Sequence, residues 1–132
     1  MATNKKLGNT FEEELCEILC QHGFWAHNMA QKADGQPADV IAVRSKTPYL
    51  IDCKVCSRDK FPLSRIEENQ HLSMEFWEMC GNDDGWFALK VSEGIIMIPY
   101  QTLVNLSYRQ STLNLKDIRE YGVTLERWLM KW

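Results

Sequence analysis

Residues 38–55, ADVIAVRSKTPYLIDCKV, contain two apolar runs with a short polar break between them, and this stretch decides the predicted fold. Both runs are rich in β-branched and apolar residues, which favours strands at residues 38–43 and 49–55. The break at residues 44–48 is polar and ends in proline, so an antiparallel hairpin is the natural interpretation. Such a hairpin would bring Asp39 alongside Asp52 near one end.

A carboxylate pair with a neighbouring lysine follows from this hairpin. Side chains alternate along a strand, so Asp52 and Lys54 project from the same face, roughly 6.5 Å apart along it. Metal-dependent hydrolysis of a phosphodiester needs a cation that screens charge and activates water, and Mg²⁺ usually takes one or two carboxylates. Asp39 and Asp52 match that demand, and the backbone carbonyl of Cys53 can supply another oxygen. Lys54 would either activate the water or neutralise the phosphate, and the sequence leaves both roles open.

The ordinary interpretation of an Asp and a Lys two residues apart on a strand is an exposed polar face with a weak ion pair. Here, however, both charges interrupt the largely apolar run at residues 49–56. Charges in such a run are costly unless they are paired or bound to a metal, so the context favours a functional site.

Two further motifs flank the hairpin. Residues 8–15, GNTFEEEL, place an acidic residue four positions after a glycine, and residues 60–70, KFPLSRIEENQ, join a Phe-Pro-Leu turn to a later glutamine. With these motifs the chain resembles the PD-(D/E)XK nuclease superfamily and, within it, the Holliday-junction resolvases of the archaeal type and of the bacterial RecU type. The resemblance covers about residues 8–100, with its parts in family order.

The resemblance implies a metal-dependent DNA endonuclease that acts on branched or junction DNA, with Mg²⁺ as cofactor and Mn²⁺ as a substitute. Carried over by position, Glu12 is the helix residue that reaches the metal, and Glu13 is its nearest competitor. Asp39 and Asp52 would complete the metal ligands, and Gln70 would position water or phosphate. Symmetric cutting of a four-way junction requires two equivalent sites, so the resemblance also implies a homodimer.

The predicted fold is an α/β domain of the restriction-endonuclease type, in which helices flank a mixed sheet in the order α-β-β-β-α-β-β with helices to finish. We expect one domain over residues 1–132, with a core at about 8–100 and a helical tail at 100–132. The first helix is predicted at residues 10–21, the second at 66–79, and a second hairpin at 86–99.

The charge distribution is uneven. The net charge of −3 argues against a general nucleic-acid binder, because such domains are usually basic. Residues 32–65 nevertheless carry seven basic side chains against four acids, whereas residues 66–95 carry seven acids and only Lys90. Besides Lys54, the basic residues are predicted to contact DNA; they are Lys32, Arg44, Lys46, Arg58, Lys60 and Arg65.

No run of residues approaches the roughly 18 apolar residues of a membrane span, and the N-terminus lacks an apolar secretory core, so we expect a cytoplasmic protein with no membrane partner. Two alternatives stay open. The first is a non-catalytic protein that keeps the fold and binds DNA or protein, favoured by the acidic net charge and by an Asp at position 52 where resolvases usually have Glu. The second is a repair or restriction-like nuclease that acts on ordinary duplex.

Overall fold

The computed structural model describes residues 4–29 and 38–130, with side chains from Thr10 onward. The helices are α1 (Asn4–Gln21), α2 (Glu68–Met79), α3 (Tyr100–Ser107), α4 (Leu115–Tyr121) and α5 (Leu125–Met130). The strands are β1 (Trp25–Asn28), β2 (Val40–Arg44), β3 (Thr47–Val55), β4 (Phe61–Pro62), β5 (Trp86–Val91), β6 (Gly94–Pro99), β7 (Thr112–Leu113) and β8 (Val123–Thr124). Among these helices none is both long and apolar enough to cross a bilayer.

Six strands form one mixed sheet in the order β1-β2-β3-β5-β6-β8. The β3–β5 pair is parallel and the other pairs are antiparallel. Strands β4 and β7 form a separate two-stranded sheet. Since α2 connects the parallel strands as a crossover requires, the predicted mixed α/β fold with flanking helices is confirmed.

The predicted hairpin is present as β2 and β3. Its register pairs Arg44 with Thr47 next to the turn and Val40 with Ile51 at the other end. Ser45 and Lys46, the two turn residues, both have left-handed φ angles, of 51° and 69°, as a tight hairpin turn requires. Asp39 therefore lies just beyond the paired region, at the end opposite the turn and level with Asp52.

The middle strands of the sheet are buried on both faces, each face under its own hydrophobic cluster. One face packs against Phe11, Leu15 and Leu19 of α1, whose spacing of four residues puts them on one side of the helix, and against Trp128 of α5. The other face packs against residues of α2, α3 and α4, among them Met74. Strand β3 lies in the middle, and its residues 49–53 are all buried. This explains why β3 is apolar along most of its length, and why Asp52 is an exception that needs a reason.

The structure differs from the sequence-based boundaries in several places. Helix α1 begins at Asn4 rather than at residue 10, and α2 begins at Glu68 rather than at residue 66. A 3-10 turn at Leu63–Arg65 ends just before α2, so the chain enters this helix through extended backbone at residues 66 and 67. The tail is helical in pieces as expected, but it also supplies β7 and β8, which the sequence did not predict. Strands of two residues are too short to show a period of two.

Candidate active site

Asp39 is held at the mouth of the β2–β3 hairpin by its backbone and by its side chain. Its N–H donates to the carbonyl of Ile51 at 3.2 Å, and its own carbonyl accepts from the N–H of Met29 at 2.9 Å. Its Oδ2 accepts a hydrogen bond of 2.7 Å from the N–H of Cys53. The carboxylate of Asp39 is therefore fixed against the backbone of β3 at Cys53.

Asp52, Lys54 and Gln70 form a triangle on the face of β3 that α2 covers. Asp52 is only 1% exposed, and its Oδ2 lies 3.3 Å from Nζ of Lys54. Gln70 donates through Nε2 to Oδ1 of Asp52 at 3.4 Å and accepts through Oε1 from Nζ of Lys54 at 3.3 Å. Oε1 of Gln70 also accepts the N–H of Glu67 at 3.0 Å, at the start of α2. Gln70 thus bridges the acid and the lysine while it caps its own helix.

Glu12 reaches the same place from α1, on the opposite side of the sheet. It is 6% exposed, and its carboxyl hydrogen-bonds to that of Asp39. Burial, helped by the negative charge of Asp39, raises the pKa of Glu12 to about 8. Glu13, the competing residue from the sequence, is exposed to solvent. The structure therefore brings Glu12 rather than Glu13 to the other two carboxyls.

The electrostatics of this cluster are unfavourable without a counter-charge. The pKa of Asp52 is raised well above its usual range, first by burial and then by the charge of Asp39, and Lys54 opposes the shift. Among the described residues, three carboxyls lie close together with the ammonium group of Lys54 as their neighbouring positive charge. Such a cluster holds protons at neutral pH, and a bound cation would replace those protons.

The predicted DNA-contact residues fall into two groups. Arg44 and Lys46 lie at the turn end of the hairpin, away from Asp39. The guanidinium of Arg44 donates to the carbonyls of His22 at 3.0 Å and Leu129 at 2.9 Å and packs 4.2 Å from the ring centroid of Phe24. Arg44 therefore ties the ends of α1 and α5 to the sheet.

The second group lies at the catalytic end. Arg58 and Lys60 are exposed and belong to the turn that follows β3 directly. Arg65 donates to the carbonyl of Val55 at 2.7 Å, which places it beside the last residue of β3. Lys32 lies outside the described residues. The structure thus brings together Glu12, Asp39, Asp52, Lys54 and Gln70. Beyond the C-terminal end of β3 lie Arg58, Lys60 and Arg65, and at the opposite end of the hairpin lie Arg44 and Lys46.

Comparison with known families agrees with this geometry. The family model of the archaeal Holliday junction resolvases (Hjc) matches residues 3–131. The chain belongs to the archaeal Holliday junction resolvase family. The resemblance seen in the sequence is thereby confirmed, and the protein is a junction-resolving nuclease.

A solved structure also resembles this resolvase. It is described as the structure of "Archaeoglobus fulgidus Hjc, a Holliday junction resolvase from an archaeal hyperthermophile". The two share 20% sequence identity with a TM-score of 0.69, and the match covers 89% of this chain and 94% of that one. At this identity the likeness shows the fold alone, and it confirms the restriction-endonuclease type of α/β core. A search of curated proteins found no match.

Nucleases of the resolvase family generally use divalent metal ions. In the described part of this chain, no three His, Cys, Asp or Glu side chains already stand in a metal-coordinating arrangement, and the carboxyls of Glu12 and Asp52 hydrogen-bond to that of Asp39 instead. The donor set still fits a hard cation, because every side-chain donor is a carboxylate oxygen. Oδ2 of Asp52 is buried with no well-aligned hydrogen bond and lies 3.3 Å from Nζ of Lys54, so a metal ion bound there would share this oxygen with the ammonium. The cluster therefore fits a divalent ion once its carboxyls lose their protons and separate.

Asp59 is a residue of the resolvase site region that the sequence did not single out. Its carboxylate accepts the N–H of Ser92 at 2.7 Å and the Oγ–H of Ser92 at 2.5 Å, and these hydrogen bonds lower its pKa. Asp59 and its neighbour Arg58 both have left-handed φ angles, of 56° and 57°. The two hydrogen bonds from Ser92 to Asp59 thus stabilise the strained turn that carries Arg58. No sequence signal reveals it, since Ser92 lies 33 residues away in the β5–β6 turn.

Proposed function

We propose that this resolvase cuts junction DNA by Mg²⁺-dependent hydrolysis at the site formed by Glu12, Asp39, Asp52, Lys54 and Gln70. The supporting observation is that three carboxyls, from α1, from the residue before β2 and from β3, meet beside the ammonium of Lys54. Mn²⁺ is expected to substitute, because it accepts the same oxygen ligands.

Glu12, Asp39 and Asp52 would hold the metal through carboxylate oxygens, and the carbonyl of Cys53 would add a backbone oxygen. The N–H of Cys53 points to Asp39, and the N–H and C=O of one strand residue leave on the same side, so this carbonyl also faces the cluster. When bound, the ion supplies charge neutralisation at the phosphate and lowers the pKa of a water molecule.

Lys54 and Gln70 do the work that does not belong to the metal ligands. Nζ of Lys54 lies between Asp52 and Gln70, at 3.3 Å from each, so its position is restrained from two sides. We place this ammonium as the donor to the non-bridging phosphate oxygens, whose charge grows in the transition state. Gln70 keeps the ammonium in that direction and orients Asp52, which makes it a positioning residue.

The DNA backbone is proposed to run from the carboxylate cluster across the turn that carries Arg58 and Lys60, with Arg65 at its edge. These side chains follow β3 without interruption, so they can contact the phosphates next to the one that is cut. Lys32 remains a proposed contact from the sequence alone. Arg44 and Lys46 are left out of this path because of their place at the far end of the hairpin.

We also propose that the resolvase is a homodimer and that the outer face of α2 forms its interface. Leu72, Phe76 and Met79 lie at positions i, i+4 and i+7 of α2 and are 59%, 66% and 82% exposed. They form an apolar ridge, whose neighbours Glu75 and Glu78 repel DNA. Two opposed cuts at a junction need two sites, and a second copy is the partner that supplies the other one.

The remaining elements of the proposal follow from the same picture. Residues 1–132 are taken as one domain, because the tail helices pack on both hydrophobic clusters of the sheet instead of forming a core of their own. A cytoplasmic location is proposed because a resolvase acts on cellular DNA.

A cleavage panel tests the proposed function. The purified protein is incubated with labelled four-way junction, flap, linear duplex and single-stranded DNA, in Mg²⁺, in Mn²⁺ and in EDTA. We expect paired cuts in the junction with either metal and none in EDTA. Binding without cleavage of any substrate in Mg²⁺ or Mn²⁺ would instead support a non-catalytic member of the fold, and faster cutting of linear duplex would support an ordinary duplex nuclease.

A further inference from the structure

An aromatic pair lies on the edge strand β1 of the sheet, and no part of the cleavage chemistry uses it. Trp25 and His27 of β1 are both exposed, Trp25 to 63%. Their rings are stacked, with centroids 6.0 Å apart and planes within 17° of parallel. One face of the Trp25 ring therefore has a partner in His27, while most of the side chain remains open to solvent.

The strand register puts this pair on the same face of the sheet as Asp52 and Lys54. His27 is paired with Ile41, and Ile41 is paired with Leu50 on β3. Directly paired residues of antiparallel strands point to the same face, and residues two apart on one strand do as well. Asp52, two residues after Leu50, therefore shares the face of His27 and Trp25.

Helix α2 covers only part of this face. It packs over β3 and the start of β5. At this contact Met74 of α2 lies so close to Gly85 that a Cβ on Gly85 would be 2.1 Å from Sδ of Met74. Among the described residues, the same face is less covered on β1 and β2, where Ile41 and Val43 are partly buried and Trp25 and His27 are exposed. The result is a shelf with an apolar floor and an aromatic rim, formed by Trp25, His27, Ile41 and Val43.

The dimensions of the shelf suit a DNA strand that passes through the active site. His27 lies two strands away from Asp52 and two residues farther along the strand direction, a distance of about 12 Å. Trp25 lies two residues farther still, at about 16 Å from Asp52. At about 3.4 Å per nucleotide of a duplex strand, these distances correspond to about three to five nucleotides from the phosphate that is cut.

We infer that the Trp25–His27 shelf binds an unstacked nucleobase at or near the branch point of the junction. This inference rests on the proposed function, since it takes the carboxylate cluster as the place where the DNA strand is cut. Bases inside a continuous duplex are stacked on both sides and offer no free face, whereas a base at a strand exchange can leave its stack at lower cost. Stacking on an aromatic ring is tolerant of base identity, so the shelf selects DNA structure without selecting sequence.

The test compares Trp25→Ile with Trp25→Phe. Isoleucine keeps an apolar, β-branched side chain on the strand but has no π face, whereas phenylalanine keeps one. Tyr108→Ala serves as the matched control, because Tyr108 is an aromatic residue that is 83% exposed outside the sheet. Affinities for four-way junction and for linear duplex of equal length are measured in EDTA, so that the result does not depend on cleavage.

We expect Trp25→Ile to weaken junction binding by about fivefold or more, the loss of one base–aromatic stack, and to change duplex binding by less than about twofold. Trp25→Phe and Tyr108→Ala should bind junction like the wild type. Junction carrying 5-iododeoxyuridine at the branch point should, on irradiation, crosslink to the peptide that contains Trp25 in the wild type and not in Trp25→Ile.

Junction binding by Trp25→Ile at wild-type strength would overturn the inference. Equal losses for junction and duplex would overturn it too, because the shelf would then contact only continuous backbone. A change of the mass in solution in Trp25→Ile would show that the shelf contacts a second protein chain instead of DNA. Failure of the wild type to cut in Mg²⁺ would count against the proposed function and would leave these binding results interpretable.

Discussion

The N–H of Cys53 donates a hydrogen bond of 2.7 Å to Oδ2 of Asp39. This contact fastens the residue before β2 to the strand that carries Asp52 and Lys54, so the two carboxylates keep a fixed separation although 12 residues lie between them. The carboxyl group of Asp39 also hydrogen-bonds to the carboxyl groups of Glu12 and Asp52. The geometry of the site is thus set by backbone, which is less free to move than a side chain.

Asp52→Asn should abolish cleavage and preserve the fold. The amide cannot replace the charged metal ligand, so we expect the cleavage rate in Mg²⁺ to fall by about a hundredfold or more. Because a neutral amide is cheaper to bury than a carboxylate, the free energy of unfolding should not fall. Single-turnover cleavage of a labelled junction and a urea titration measure the two effects. Cleavage at the wild-type rate would remove Asp52 from the site.

Glu12→Gln and Glu13→Gln form a matched pair on one helix. Glu12 is buried against Asp39 and Glu13 is exposed, so only the first substitution should weaken metal binding. We expect the Mg²⁺ concentration for half-maximal cleavage to rise by about tenfold or more in Glu12→Gln and to stay unchanged in Glu13→Gln. The reverse pattern would show that Glu13 is the helix ligand.

The stability of the metal-free protein should fall as pH rises. The pKa of Glu12 is about 8 in the folded state and about 4.5 in the unfolded chain, so between these values the unfolded state releases its proton first. The contribution of Glu12 to the free energy of unfolding is therefore highest below pH 4.5. It falls between pH 4.5 and about pH 8 and is constant above that. Urea titrations in EDTA at several pH values measure this. Glu12→Gln should lose this contribution to the slope, and an unchanged slope would contradict the assignment.

Metal affinity should have the opposite pH dependence. A divalent ion binds the ionised carboxylates, so binding releases protons from Glu12 and Asp52, whose pKa values are raised. We expect Mg²⁺ affinity to increase as pH rises toward 8. Calorimetry in two buffers with different ionisation enthalpies would detect the released protons, and identical heats in both would argue against the linkage.

Gly85→Ala should reduce activity through α2. A Cβ at this position would lie 2.1 Å from Sδ of Met74, so the buried Met74 side chain must shift, and we expect this repacking to displace α2. We expect a loss of about 1–3 kcal/mol in the free energy of unfolding and a slower cleavage step, because Gln70 lies on the same helix. Met74→Ala in the Gly85→Ala background should restore part of the cleavage rate, since it removes the clashing atom. A cleavage rate that is unaffected by Gly85→Ala would show that the function of Gln70 does not depend on how α2 packs at Gly85.

Phe76→Lys should disrupt the proposed dimer. Placing a charge in the centre of the apolar ridge makes its burial costly, so the mass in solution is expected to fall to that of one chain. Ser107→Lys, an exposed position on α3, is the control and should leave the mass unchanged. Light scattering measures both, and a wild-type mass of one chain at working concentration would itself contradict the dimer.

The sequence was informative where the fold depends on local patterns. The β2–β3 hairpin could be predicted because its apolar runs and its polar break are adjacent in the chain, and Asp39 and Asp52 were placed by that hairpin. The Phe-Pro-Leu pattern led to Gln70, whose contacts with Asp52 and Lys54 are present in the structure.

Long-range contacts account for what the sequence could not predict. Arg44 belongs to a basic segment, yet its partners are carbonyls 22 and 85 residues away, which no local pattern reveals. Strands β4 and β7 are two residues long and pair across more than 45 residues, so they depend on tertiary packing alone. The hydrogen bonds between Asp59 and Ser92 are also long-range contacts that depend on tertiary packing.

The double engagement of Gln70 has a dynamic consequence. Its side-chain oxygen, Oε1, accepts hydrogen bonds from the N–H of Glu67, at the start of α2, and from the ammonium of Lys54. Fraying of that turn would remove Gln70 from Lys54 and Asp52 at the same time and leave the ion pair between them as their remaining link. Hydrogen exchange at the backbone N–H of Gln70 would then report the fraction of molecules in which this turn is formed and the site is competent to cut.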